Sequence, residues 1–467
     1  MSIKPAVAIT ALIFAIAPAP LAARDAAPLA SRVTAVLAAQ GPGTRFGLVV
    51  TAEDGSELVA ITPDARFVPA SNTKIFTTAA AFETVATLDQ PDRSGGATVH
   101  LERGAVVLAG HGDARLSSAA DCVVDCLATL ADAVAAKTRS VSDVIGDDSA
   151  FADERWSPGM SWNNIPTRSG TGISALTLDE NEVVVLVSPG KVGEEAVVAD
   201  SGYSMIESRI VTVTAGKTDL RVDRLPGDRV VRLSGTIATG AAAETLRLGI
   251  DDPAHHAAWR FAAMLRARGV RIAGAVRARH RPAGAAPTAL ETPIAHLTAP
   301  PLLADLTTIN KTSQNVHAEL LLRRIGGGSI AEGQKRIGAM LERAGVARWT
   351  YDFADGSGMS SYNRVTPRAT VRFLRWAAAQ PWGATWRATL PVAGVDGTLA
   401  RRFVGGALAG RLFAKTGSLN GASALSGYMI AASGRTLTFA SFAADMPEDK
   451  SATKAIDAAL TLIAAEN

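Results

Sequence analysis

The sequence predicts an α+β fold: an antiparallel sheet flanked by helices, interrupted by a large inserted α/β region. Three observations predict it. Two hairpin patterns stand near opposite ends of the chain, long helical patterns lie between them, and the stretch from about Leu88 to Ile294 differs from both flanks, being rich in Val, Gly, Asp and Arg.

The first hairpin reads as strands Phe46 to Thr51 and Leu58 to Ile61 around Asp54-Gly55, a strong turn signal. The second reads as Ala424 to Ala431 and Thr436 to Phe442 around Ser433-Gly434. The two are expected to share one sheet. One helix is expected from Ser71, after Pro69, to about Ala86. Another is expected from Ser313 to about Ile325, with Val316, Leu320 and Leu321 on one face. Within the divergent stretch, Val183 to Val187, Val230 to Leu233 and Val270 to Ile272 read as short strands, and Ala254 to Arg268 as a helix. The expected organisation is a split unit of residues 24–87 and 295–467 around an insert, 88–294, of one or two smaller domains.

Composition narrows the classes of function. The chain has 467 residues, 48% hydrophobic and 19% charged, which is globular rather than disordered. Lys+Arg total 47 against 44 Asp+Glu, spread without a basic block, and aromatics are only 5%, so no nucleic-acid partner is expected. Two cysteines, Cys122 and Cys126, cannot build a disulfide scaffold or a four-ligand zinc site. A bond between them is open: four-residue spacing on a regular helix would strain it, so paired and free thiols both stand. Adjacent His255-His256 point apart on a helix, and no metal or phosphate-loop motif is present. No cofactor and no metal are expected.

Residues 1–23 read as a secretory signal peptide. Lys4 is followed by an almost wholly apolar run from Pro5 to Ile16, then by small residues at Ala19, Ala22 and Ala23. A short membrane anchor is the alternative, but the run falls short of the ~20 residues a span needs. The expected location is therefore outside the cytoplasmic membrane, periplasmic or otherwise extracytoplasmic, with loose membrane association as a variant.

Three motifs carry chemistry. In Ser71-Asn72-Thr73-Lys74, positions i and i+3 share a helix face, so the Ser71 hydroxyl meets the Lys74 amine, its nearest base. Ser71 also sits at a helix N-terminus, which favours developing negative charge. In Ser313-Gln314-Asn315, a hydroxyl that relays a proton and an amide that donates to a carbonyl lie two apart. In Lys415-Thr416-Gly417-Ser418, Lys415 and Thr416 on an edge strand can hold a carboxylate, and Gly417 lets a substrate backbone lie close. Each motif alone is matched by a bland reading: a capping serine with a surface lysine, an ordinary helix cap, or a polar strand end. Their ordered combination is the signal. It is the set known from penicillin-binding proteins and class A β-lactamases, with Gln314 where those have Asp.

With these motifs the chain resembles the D-alanyl-D-alanine carboxypeptidase/endopeptidase family, the class C low-molecular-mass penicillin-binding proteins. Further marks are Gly146-Asp147-Asp148-Ser149, Pro158-Gly159-Met160-Ser161-Trp162, Ser174-Ala175-Leu176-Thr177, Asp355-Gly356-Ser357-Gly358 and the run from Leu390 to Leu399. The 242 residues separating Ser71 from Ser313 fit this family, which carries a large insert there, and not the β-lactamases. The resemblance implies a penicillin-binding/serine β-lactamase-like transpeptidase fold and a serine DD-peptidase acting on peptidoglycan stem peptides and acylated by β-lactams. It implies that Ser71 attacks the penultimate D-Ala carbonyl, Lys74 is the base, and Ser313 relays a proton to the leaving amine. Asn315 would hold the acyl side's amide, and Lys415 and Thr416 the terminal carboxylate. The N–H groups of Ser71 and Ser418 would form the oxyanion hole.

Two positions depart from the family. Ser361 stands where an Arg is usual, and Asn163-Asn164 follow Trp162 where an Asp is frequent. The resemblance implies that Ser361 and Asn164 occupy the grip on the third stem residue. Arg364 reads as an ordinary loop charge, with replacement of the missing Arg as the alternative. Two other functions stand beside the leading one: a β-lactamase or esterase on the same fold, and a non-catalytic wall-binding protein. A Ser–His–Asp hydrolase is not supported, since none of the seven histidines has a nucleophile-elbow context, and His317 reads as a helix-surface residue.

Overall fold

The computed structural model describes residues 27–286 and 291–467, so the expected signal peptide, residues 1–23, lies outside the described residues. The two distant hairpins meet in one sheet. Strand Arg45–Thr51 pairs antiparallel with Glu57–Ile61 on one side and with Thr436–Ala444 on the other. Ala422–Ile430 pairs next, and Leu412–Leu419 closes the sheet as an edge strand.

Strand alternation divides this sheet into two apolar faces. Val49, Ala440 and Phe442 face one core with Phe76, Leu306, Leu322, Met340 and Phe373 from the helices Thr73–Thr84, Leu302–Lys311, Asn315–Ile325, Ile330–Arg343 and Pro367–Ala378. Leu48, Val50 and Phe439 face a second core with Val33 and Leu37 of Leu29–Ala38 and Ile456 and Leu460 of Thr453–Glu466. With both faces covered, the interior strand Arg45–Thr51 is buried over its last five residues, without an exposed face.

The intervening segment holds two further cores. In one, a five-stranded sheet runs in the order Val276–Arg281, Val144–Ala152, Ala105–Gly110, Ala97–Glu102, Ala295–His296. Helices Leu127–Lys137 and Pro253–Ala267 bury Leu130 and Phe261 against Leu108 and Val144. The other gathers Val185, Ile210 and Leu233 between two three-stranded sheets drawn from residues 182–249. Leu88 packs in the first core of the large sheet, whereas Ala295–His296 pair with Val99 and Thr98 of the intervening segment.

Two local expectations change. The second motif's helix spans Asn315–Ile325, not Ser313 onward: Gln314 caps it, and Ser313 lies outside at φ +64°. Nor do Val316, Leu320 and Leu321 share one apolar surface. Val316 and Leu320 pack with Ala114, Phe151, Ile173 and Ala175 of the intervening segment, while Leu321 joins the large-sheet core. The helix is buried on both sides, so its apolar residues do not form a single stripe. Cys122 and Cys126 are bonded, in a loop just before helix Leu127–Lys137, where helical spacing imposes nothing. No helix among the described residues is long and apolar enough to cross a membrane.

Candidate active site

The nucleophile motif begins at a bend. Ala70 has φ +47°, and a 3-10 turn, Ala70–Asn72, runs directly into the helix Thr73–Thr84. Helical spacing then sets Lys74 beside Ser71, with Nζ 2.9 Å from Oγ. Lys74 Nζ also donates to Asn315 Oδ1 at 2.7 Å and to the Ser357 carbonyl at 2.6 Å. Both are pure acceptors. A neutral amine has two N–H bonds and one lone pair, so with both N–H groups given to these oxygens the lone pair is left for the Ser71 hydroxyl proton. Lys74 is fully buried, and burial lowers its pKa to about 7, with Asp355 and Glu319 pulling in the opposite direction.

The Ser357 carbonyl is aimed by a buried acidic scaffold. Asp355 accepts from the N–H groups of Gly358 (2.9 Å) and Ser360 (2.6 Å) and from Asn363 Nδ2 (2.6 Å). Glu319 Oε1 accepts from Gly356 N (3.0 Å) and Ser357 N (2.8 Å), while its Oε2 pairs with Arg323 (2.9 Å). Burial and the neighbouring Glu319 carboxylate push Asp355 up to about 6. Gly358, at φ +89°, has no room for a side chain, since a Cβ would lie 1.9 Å from the Ala70 carbonyl. The motif Asp355-Gly356-Ser357-Gly358 marked the family resemblance but offered no role. Its signal is one acid and a glycine-framed serine; with Glu319 from helix Asn315–Ile325 it presents a main-chain oxygen to Lys74.

The third motif lies within the edge strand Leu412–Leu419, not at its end. Lys415 Nζ donates to Ser313 Oγ at 2.9 Å and to the Thr416 carbonyl at 3.0 Å. The Ser313 hydroxyl is therefore bonded to Lys415 rather than to Lys74. Lys415 is fully buried, and its pKa falls well below the usual lysine value through burial and then through the Lys74 cation. At Lys74 burial is the lowering cause, opposed by the Asp355 and Glu319 carboxylates. Thr416 bonds Thr398 Oγ1 at 2.8 Å, and Ser418 is exposed. A Cβ on Gly417 would lie 2.5 Å from the Pro69 carbonyl, so the missing side chain also admits the nucleophile turn.

Ser361 and Asn164 lie on two loops stitched together. Ser361 donates to the Gly159 carbonyl from both N (2.9 Å) and Oγ (3.0 Å). Asn163 Oδ1 accepts from Ser161 Oγ at 2.6 Å, and the half-buried Asn164 gives its carbonyl to Thr167. Exposed Trp162 and Tyr362 flank the seam. Arg364 Nη1 folds back on the carbonyls of Ser361 (2.6 Å) and Asn363 (2.8 Å), the part of an ordinary loop charge. His317 is buried between Asp305 and Glu180, not on a helix surface, because the intervening segment covers that side of its helix. Among the described residues no three His, Cys, Asp or Glu groups are placed to hold a metal ion.

Two serines, two buried lysines and an asparagine from three distant segments thus meet at the edge strand. Known proteins repeat this chain. A D-alanyl-D-alanine carboxypeptidase of Actinomadura sp. (strain R39) is 35% identical over 411 residues, covering 82% of this chain and 74% of its own. A carboxypeptidase of Mycobacterium tuberculosis is 31% identical over 451 residues, 90% of this chain and 81% of its own. In fold, the crystal structure of penicillin-binding protein 4 from Haemophilus influenzae superposes with a TM-score of 0.79 at 21% identity, covering 92% of this chain and 97% of that one. The family model described as D-Ala-D-Ala carboxypeptidase 3 matches residues 29–467. The match runs through all three motifs and the segment between them, and the chain belongs to the D-Ala-D-Ala carboxypeptidase 3 (S13) family.

Proposed function

We propose that Ser71 is the nucleophile of a DD-peptidase that works on the D-Ala-D-Ala end of peptidoglycan stem peptides, with Lys74 as its base. The observation that supports this most directly is the Lys74 amine, buried at a pKa of about 7 and 2.9 Å from Ser71 Oγ. Ser71 Oγ adds to the penultimate D-Ala carbonyl as its proton passes to Lys74. The N–H groups of Ser71 and Ser418 take the developing oxyanion. As the C–N bond breaks, Ser313 gives its proton to the leaving amine and is reprotonated by the Lys74 ammonium, so Lys74 and Ser313 end as they began and the net transfer runs from Ser71 to that amine. Lys415 and Thr416 hold the terminal carboxylate. Asn315 gives one N–H to the Ser169 carbonyl at 3.2 Å and has a second for the acyl side's amide. Gly417 supports the strand from behind. Water then hydrolyses the ester. A β-lactam offers the same acyl layout, acylates Ser71 and leaves slowly.

Ser361 and Asn164 line the place of the third stem residue, without the charges expected there. The apolar leader supports residence outside the cytoplasmic membrane, where this substrate lies. Residues 24–87 and 295–467 are read as the catalytic unit and 88–294 as an inserted region.

The test is incubation with a fluorescent penicillin. A stable covalent label on the wild type, lost in Ser71→Ala, is expected. No label would overturn the assignment of Ser71 and leave a non-catalytic wall-binding role. Rapid release of hydrolysed drug would identify a β-lactamase or esterase instead.

A further inference from the structure

Ser313 is a non-glycine residue held at φ +64°, a conformation L-residues rarely adopt and that persists only where neighbours enforce it. Its own hydroxyl bond to Lys415 does not set its backbone. The next residue does: Gln314 caps the helix by accepting from Val316 N at 3.3 Å and donates its Nε2 to Glu180 Oε2. The other Glu180 oxygen lies 3.7 Å from His317 Nε2, and His317 Nδ1 lies 3.4 Å from Asp305. Glu180 therefore hydrogen-bonds Gln314 and faces His317, the residues that bracket Asn315, which contacts Lys74.

Glu180 is itself delivered by a strained element. Asp179, Glu180 and Asn181 have φ of 49°, 57° and 55°, three left-handed non-glycine residues in succession. Both ends are pinned. Asp179 accepts from Ser118 N (2.9 Å) and Ser118 Oγ (2.6 Å), and buried Asn181 donates to Gly172 O (3.0 Å) and Thr177 Oγ1 (3.2 Å). The pairing also accounts for an amide at position 314. A carboxylate there, as in the Ser-Asp-Asn form of the motif, would bring a second negative charge towards Glu180.

We propose that Glu180, carried by the intervening segment, is a positioning residue for Ser313 and Asn315, acting through Gln314 and His317. The inference rests on the roles assigned above to Ser71, Lys74 and Ser313. It makes the intervening segment part of the catalytic apparatus, through one carboxylate that touches no substrate.

The test is a partner exchange, read as the rate of penicillin acylation at saturation and the dissociation constant of the preceding non-covalent complex. Gln314→Glu sets two carboxylates against each other, and its acylation step should slow about tenfold or more with the dissociation constant little changed. Glu180→Gln with Gln314→Glu restores an amide against a carboxylate and should return the rate to within about threefold of wild type. Glu180→Ala, at a half-exposed position, gives the same slowing if Gln314→Glu folds poorly. Wild-type rates in both Gln314→Glu and Glu180→Ala, or a double variant no faster than Gln314→Glu, would overturn the proposal while leaving Ser71 as nucleophile. A wild-type protein that takes no label would overturn both.

Discussion

The side-chain amide of Asn72 donates to the main-chain carbonyl of Lys415 at 2.9 Å, across 343 residues of sequence. The residue after the nucleophile thereby fastens the nucleophile turn to the edge strand, and it does so in a fully buried seam. Asn72→Ala leaves the Lys415 carbonyl without this donor. The expected cost is about 1–3 kcal/mol of stability. Because the same bond sets the spacing between the two lysines, acylation should fall by about tenfold or more. Thermal unfolding and penicillin acylation measure the two effects. A variant that loses neither would show the seam to be held by packing alone.

Lys74 has its pKa at about 7 in the folded protein against an ordinary 10.5. Below pH 7 the ammonium prevails, and the acylation rate should drop about tenfold per pH unit. Stability moves in a defined direction as well. Between about 7 and 10.5 the unfolded chain keeps a proton that the folded one has released, so the Lys74 contribution to stability rises with pH across that window and is level below it. Lys74→Arg keeps its proton throughout and should abolish acylation at every pH. Labelling of that variant at the wild-type rate is incompatible with Lys74 as the base.

Asp355 opposes the burial of Lys74 by its negative charge. Asp355→Asn should therefore shift the acid limb of the acylation profile to lower pH, while a lost acceptor for Gly358, Ser360 or Asn363 lowers the melting temperature. A limb that stays in place as the protein loses stability would assign Asp355 to the turn alone.

Much of this was legible because it is local. The hairpins rest on adjacent turn residues, and the Ser71–Lys74 contact on one helical turn. What escaped is set by residues far apart in the chain. Ser313 reads as helical until Gln314 is seen to cap the helix after it, leaving Ser313 outside at φ +64°. That the Pro69 carbonyl also requires a glycine at 417 is set by a residue far away in sequence. His317 reads as a surface residue because nothing local shows that a second body covers its helix. The second apolar face of the sheet depends on helices from both termini, each too alanine-rich to announce its partner.

In the proposed third-residue subsite, Ser361 and Asn163-Asn164 stand where the family resemblance implies an arginine and an aspartate. A bidentate Arg–carboxylate pair contributes roughly 1.5–3 kcal/mol, about a tenfold to hundredfold effect on kcat/KM when absent. Weak discrimination is expected between a peptide with a free zwitterionic third side chain and one with it capped. Ser361→Arg should raise kcat/KM for the free form more than for the capped form. Arg364→Ala should leave the preference unchanged, since its guanidinium serves the Ser361 and Asn363 carbonyls. A strong wild-type preference for the free form, lost in Arg364→Ala, would reassign the grip to Arg364.

Helix Asn315–Ile325 is clasped from two sides, Val316 and Leu320 by one body and Leu321, Leu322 and Ile325 by another. This bears on how such chains can be recombined. Trimming away the intervening segment would strip one flank of the very rod that begins with Asn315, so a minimal enzyme cannot be cut from this one by excision. A transplant between relatives has to carry donor and acceptor surfaces of that rod together. The segment and its host pack as matched halves of one joint, not as a blade and an interchangeable handle.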